Sequence, residues 1–147
     1  PPLRTKEDVE AFKKGLADDI MDVIATDHAP HAAREKEQGI QKAPFGIVGL
    51  ETAAALTYTE LVKSGILTPM QMAEKMSYNP AKVLGLKKGT VAEGSHADLT
   101  IFDPEYEWVI DPAEFLSKGK NTPFGGKKVI GKVMATIVDG EIAYREK

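Results

Sequence analysis

Cysteine is absent from this chain, which removes disulfides, thiolate zinc sites and cysteine nucleophiles together and fits a reducing, cytoplasmic compartment. An excess of charge of either sign is missing too: 19 Lys and Arg stand against 22 Asp and Glu, a net charge of −3. That balance offers neither a basic footprint for nucleic acid nor a polybasic membrane patch. Long apolar runs are also lacking. The longest stretch without a formal charge, Ser64 to Ala73, is interrupted by Pro69, whereas a membrane-spanning helix takes roughly 20 apolar residues. Histidine occurs three times, with no His-x-His and no His-Glu-x-x-His. What remains is an ordinary globular composition, 42% hydrophobic and 28% charged over 147 residues, suited to one domain with at most a small appendage. The chain opens on two prolines with no initiator Met and no signal-peptide pattern, so we expect a piece of a longer protein.

The first half reads as α/β. Thr5 is a good helix N-cap, with Glu7 and Asp8 placed for the helix dipole and Val9, Phe12 and Leu16 at helical spacing. Val23-Ile24-Ala25 is a short apolar run that predicts a buried strand of the parallel-sheet kind. From His28 to Pro44 periodicity disappears, and so long a loop after a strand points to function or disorder. A helix is predicted from about Gly49 to Lys63, with Leu50, Ala54, Thr57 and Leu61 on its buried stripe. Thr68-Pro69-Met70-Gln71 is a capping box, Met70, Met72 and Met76 read as core filler, and Asn79-Pro80 should start a further short helix. After Gly89 the pattern changes to strands: 98–102, 107–110, and a long third from Val129 to Val138, bent near Gly131. Asp139-Gly140 is a hairpin turn leading to Ile142–Tyr144. We therefore divide the chain near Lys88, with residues 1–88 as an α/β unit and 89–147 as a small antiparallel β unit.

Titratable groups concentrate in one suggestive place, Thr26-Asp27-His28-Ala29-Pro30-His31, where the predicted strand ends and the loop begins. The carboxyl end of a strand is where parallel α/β folds build active sites. Asp27 there can ligate a metal ion, accept a proton, or both, and His31 can reach the same opening to ligate a metal or bind an anion. Ordinary turn and cap chemistry stays open as the alternative. At the far end of the loop, Pro44-Phe45-Gly46 would let backbone approach a ligand, or would simply turn the chain into the next helix. His96 reads as a solvated loop residue, and the Arg34–Glu37 charge run as a solvated loop.

Two segments carry a resemblance: 22–31, Asp-Val-Ile-Ala-Thr-Asp-His-Ala-Pro-His, and 43–52, Ala-Pro-Phe-Gly-Ile-Val-Gly-Leu-Glu-Thr. Together with Pro-Pro-Leu-Arg-Thr at the start, Tyr78-Asn79-Pro80-Ala81, 94–103, Asn121-Thr122-Pro123-Phe124 and the Val138-Asp139-Gly140 hairpin, they make the chain resemble the C-terminal third of bacterial dihydroorotases. These are members of the metal-dependent amidohydrolase superfamily. The resemblance implies the last strands and helices of a (β/α)8 barrel plus part of a small β-sandwich subdomain. It implies that Asp27 is the catalytic aspartate and contacts the metal, that His31 helps bind the substrate carboxylate, and that Phe45 and Gly46 touch substrate through their backbone. His28 receives no catalytic role.

The implied reaction is reversible hydrolysis of the cyclic amide of dihydroorotate to N-carbamoyl-aspartate, with zinc in the intact enzyme. The family's other metal ligands lie outside this sequence, so the fragment alone should be inactive. The partners expected are the small-molecule substrate, the N-terminal part of the same enzyme and a second copy of the chain. The alternatives are another cyclic amidohydrolase, such as a hydantoinase or allantoinase, or a non-catalytic dihydroorotase-like domain.

Overall fold

Thr5 begins the first helix as its capping pattern predicts. The structure is a computed structural model describing residues 4–146, so Pro1–Leu3 of the opening motif lies outside the described residues. In α1 (Lys6–Ala17) the Thr5 hydroxyl accepts from the Asp8 N–H while the Asp8 carboxylate accepts from the Thr5 N–H, a reciprocal capping box. The helix ends with Asp19 in the left-handed region (φ 59°) and the Ile20 N–H returning to the Gly15 carbonyl at 2.9 Å.

The predicted strand at Val23–Ala25 does not form. Residues 20–32 run without sheet partners among the described residues, because a parallel strand exists only beside a neighbour that accepts its ladder. The segment is instead held on helices. The Ile24 N–H donates to the Lys75 carbonyl at 3.0 Å and the Asn79 side-chain amide to the Asp22 carbonyl at 2.9 Å. Lys75 is itself buried, its ammonium 2.6 Å from the Asp19 carboxylate and 2.7 Å from the Met21 carbonyl. Asp19→Asn keeps the shape and the tolerance for positive φ but leaves a buried ammonium without a counter-charge. It is expected to cost about 2 kcal/mol in urea unfolding, more than Lys75→Met, which removes the charge with its cost of burial.

The expected loop 28–44 contains a short helix, α2 (Ala33–Lys36), where the Glu35 carboxylate accepts from the Ala32 N–H. The Arg34–Glu37 run is therefore no featureless solvated loop. The predicted helix near 49–63 forms as α3 (Ala53–Thr57) continuing through a π-helical turn, Tyr58–Val62. Of the expected stripe Thr57 is buried, Ala54 and Leu61 are half-buried and Leu50 is exposed, while Thr52, Ala55 and Tyr58 are buried beside it. The Thr68 box starts α4 (Pro69–Ala73) as predicted. Met70 is exposed and packs no core.

The short helix expected at Asn79-Pro80 is present, running on from the preceding turn. A π-helical turn, Glu74–Tyr78, leads directly into α5 (Asn79–Val83). Pro80 has no N–H to give the preceding turn, and the wider coil absorbs the missing bond.

The last third is an antiparallel meander, β1 (Leu99–Val109), β2 (Lys128–Val138) and β3 (Glu141–Arg145), in that spatial order. The two short strands expected at 98–102 and 107–110 are one strand, with irregular pairing between Asp103 and Glu107. Gly131 lies opposite that irregularity at φ 95°, and a Cβ there would stand 2.3 Å from the Phe102 ring. Phe102 in turn meets Tyr58 edge-on at 5.3 Å. Asp139-Gly140 turns the hairpin with both residues at positive φ, as predicted.

The core joins the helical and β segments. Val48, Ala55, Ile110, Phe115 and Val129 bury together, and the Thr59 hydroxyl both accepts from the Ile130 N–H at 2.9 Å and donates to its carbonyl at 3.2 Å. Among the described residues no helix is long and apolar enough to cross a membrane.

On the sheet, Lys132 lies 2.6 Å from Glu146 and over the Tyr106 and Trp108 rings. Lys132, and after it the Tyr144 hydroxyl, hold the Glu146 carboxyl below its usual range. The hydrogen bond to Glu146 pushes the Tyr144 phenol up to about 12. The Tyr144 contribution to stability is thus complete below the ordinary phenol value of about 10 and is lost as pH rises through the folded value. Ultraviolet titration of wild type against Tyr144→Phe should show one phenol ionising near 12.

Candidate active site

Among the described residues three that are not glycine have positive φ: Asp19, Asp27 and Asp139. Asp19 caps a helix and Asp139 turns a hairpin. Asp27, at φ 46°, does neither. It sits mid-way along the extended segment with its side chain exposed, a conformation costing about 1 kcal/mol. The twist turns one carboxylate out of the chain at the place where the sequence puts the catalytic candidate.

The segment carrying Asp27 is zipped to the far end of the loop. Gly49 packs on Thr26 so closely that an added Cβ would stand 3.2 Å from the Thr26 carbonyl oxygen. The Ala29 N–H donates to the Ile47 carbonyl at 2.9 Å. Gly46, at φ 120°, lies against Ala29, where a Cβ would be only 2.4 Å from the Ala29 Cβ. His31 Nε2 donates to the Phe45 carbonyl at 3.0 Å. Three of the four sequence candidates meet here, His31 bonding Phe45 and standing 3.5 Å from where a Gly46 Cβ would be; Asp27 lies further along the same segment, next to the Thr26 that packs on Gly49. His31 binds its own chain through Nε2, and the Phe45 ring points into solvent, 96% exposed.

The carbonyls of this edge are occupied. Lys36 Nζ donates to Pro44 at 2.7 Å and to Gly46 at 2.9 Å, and the Asn121 amide donates to Gly46 at 3.2 Å. Among the described residues no backbone acceptor takes the Phe45 or Gly46 N–H. What this edge offers a ligand is therefore donors, which suit an anion or a carbonyl oxygen.

Beside His31 opens a cleft of about 340 Å³ lined by Lys36, Lys118, Lys120 and Asn121 among others. Sequence reading passed over His28, Lys36 and Asn121 as site residues. Asn121 touches Gly46 across 75 positions, a separation no local pattern reports.

The residues present do not by themselves fit a metal. Among those described, no three of His, Asp or Glu gather into a possible ion site, while a catalytic zinc takes about three protein ligands.

The sequence pattern defining the amidohydrolase family matches residues 2–143. The chain belongs to the amidohydrolase family. A protein named dihydroorotase from Pelotomaculum thermopropionicum is 54% identical over all 147 residues, which are 34% of its length. Another of that name from Bacillus cereus (strain AH820) is 56% identical with the same coverage. This amidohydrolase chain thus spans about a third of the length of the curated relatives it matches. Among solved structures it superimposes on a D-hydantoinase from Bacillus sp. AR9 with a TM-score of 0.91 at 31% identity, over 100% of this chain and 33% of that one. An L-hydantoinase from Arthrobacter aurescens gives 0.91 at 33%, covering 99% of this chain and 33% of that one.

Proposed function

We propose that the chain is the C-terminal third of a cytoplasmic dihydroorotase, which reversibly hydrolyses dihydroorotate to N-carbamoyl-aspartate in pyrimidine biosynthesis. The observation that carries this reading is the 54–56% identity to proteins named dihydroorotase along the entire chain. The hydantoinase structures of the same fold are less similar, at 28–33%. In this reading residues 1–88 complete a (β/α)8 barrel and 89–147 belong to the β-sandwich subdomain. Ile24, Ala25 and Ile47, which line an apolar groove of about 220 Å³, would face the barrel strands supplied by the rest of the enzyme. A second copy of the chain is the other partner proposed.

Water adds to the ring carbonyl, the ring C–N bond breaks, and the proton lost by the attacking oxygen ends on the departing nitrogen. In this reading Asp27 carries that proton, accepting it on attack and returning it on ring opening. The donors along Phe45 and Gly46, with His31 beside them, fit the substrate's carboxylate. Zinc belongs to the proposal for the intact enzyme, with Asp27 as one ligand among others outside this chain.

The test is a substrate panel on the full-length protein. Dihydroorotate should exceed hydantoin and allantoin in kcat/KM by at least about a hundredfold; equal or reversed preference sinks the reading. The isolated 147 residues should show no turnover.

A further inference from the structure

His28 is the one imidazole of the Asp27 motif without a role in the reading above, yet it makes the most specific contacts of the zipper. Its Nδ1 lies 3.0 Å from the Gly49 amide nitrogen and 3.2 Å from that of Leu50. Both are backbone donors, so Nδ1 can only be the acceptor, and the neutral ring must carry its proton on Nε2. The single in-plane lone pair is then spent on backbone, and His28 has none to offer a cation.

Those two N–H groups open the turn into α3. The Ala53 N–H closes that turn on the Gly49 carbonyl at 3.0 Å, and Ala55 two residues on is in the core. Gly49 is also the residue pressed against Thr26. The bond from His28 therefore ties the chain beside Asp27 to a rigid point of the core. It fixes where the strip from Phe45 to Gly49 lies along the motif.

We propose that His28 is a positioning residue that, through Nδ1, sets the Phe45–Gly46 donor edge in register with Asp27. The proposal rests on the reading of that edge as a substrate contact. It predicts an effect on substrate capture more than on the chemical step, because His28 holds the strip that binds and not the carboxylate that reacts. Asn is the informative replacement: its Oδ1 stands as many bonds from Cα as Nδ1 does and accepts in the same place, whereas Ala leaves both N–H groups unpaired.

In the full-length enzyme, His28→Ala should raise KM for dihydroorotate about tenfold with kcat within about threefold, and His28→Asn should recover most of the loss. Loss of folded protein alone would lower the apparent kcat and leave KM in place. An unchanged KM in His28→Ala, a fall confined to kcat, or an Asn variant no better than Ala overturns the proposal. Should His28→Ala not fold, the comparison of wild type with His28→Asn and the wild-type tautomer decide. In protein labelled with ¹⁵N-histidine at about pH 8, the His28 ring should show unprotonated Nδ1 and protonated Nε2, and the opposite tautomer overturns it. If the wild-type enzyme fails to turn over dihydroorotate, the substrate reading has failed, while the tautomer measurement still judges the His28 contact.

Discussion

Asp27→Asn in the full-length enzyme is expected to lower kcat for dihydroorotate by about a thousandfold while leaving the melting temperature within about 2 °C of wild type. The amide has the carboxylate's shape and tolerates the left-handed backbone that Asp27 adopts at φ 46°, so the fold loses nothing by the exchange. What disappears, on the proposed reading, is a group that accepts a proton and gives it back. Asp139→Asn, made in the hairpin at φ 49°, is the control and should leave turnover unchanged. Near-normal turnover by Asp27→Asn would remove the residue from the mechanism, whatever the relatives are named.

Gly46→Ala is expected to be the most damaging substitution in the loop neck. Two costs coincide there: φ of 120°, which an L side chain rarely adopts, and a Cβ 2.4 Å from that of Ala29, itself pinned to Ile47. Strain and overpacking together should destabilise the neck by about 3 kcal/mol. They should also raise KM at least about tenfold as the donor edge moves off His31. Gly39→Ala isolates the first cost, since Gly39 has positive φ (80°) but nothing within 4 Å of an added Cβ; it should cost about 1 kcal/mol and leave KM alone. Urea unfolding and steady-state kinetics on both variants separate the two. If they behave alike, the close approach at Ala29 has no consequence.

The elements legible in the sequence are those whose cause is local. The Thr5 and Thr68 capping boxes and the Asp139-Gly140 hairpin each depend on a few adjacent residues, and each forms as read. The candidate residues could be named from the motif at 26–31 and from the resemblance of segments 22–31 and 43–52 to a known family, and their roles remain proposals. The Val23–Ala25 strand failed because a strand is a property of a pair, and apolar character alone provides no neighbour to bond. Lys36 was read as part of a solvated charge run because its acceptors, the Pro44 and Gly46 carbonyls, lie across the loop.

By itself, then, the sequence determined the two capping boxes and the hairpin turn, since short-range sterics and hydrogen bonding decide those. Only the tertiary structure decided that His28 is an acceptor for the turn into α3, that His31 spends Nε2 on Phe45, and that Asn121 reaches Gly46. Each of these joins residues well apart in the chain, and which donor meets which acceptor is settled only when the core of Val48, Ala55, Ile110, Phe115 and Val129 brings the segments together.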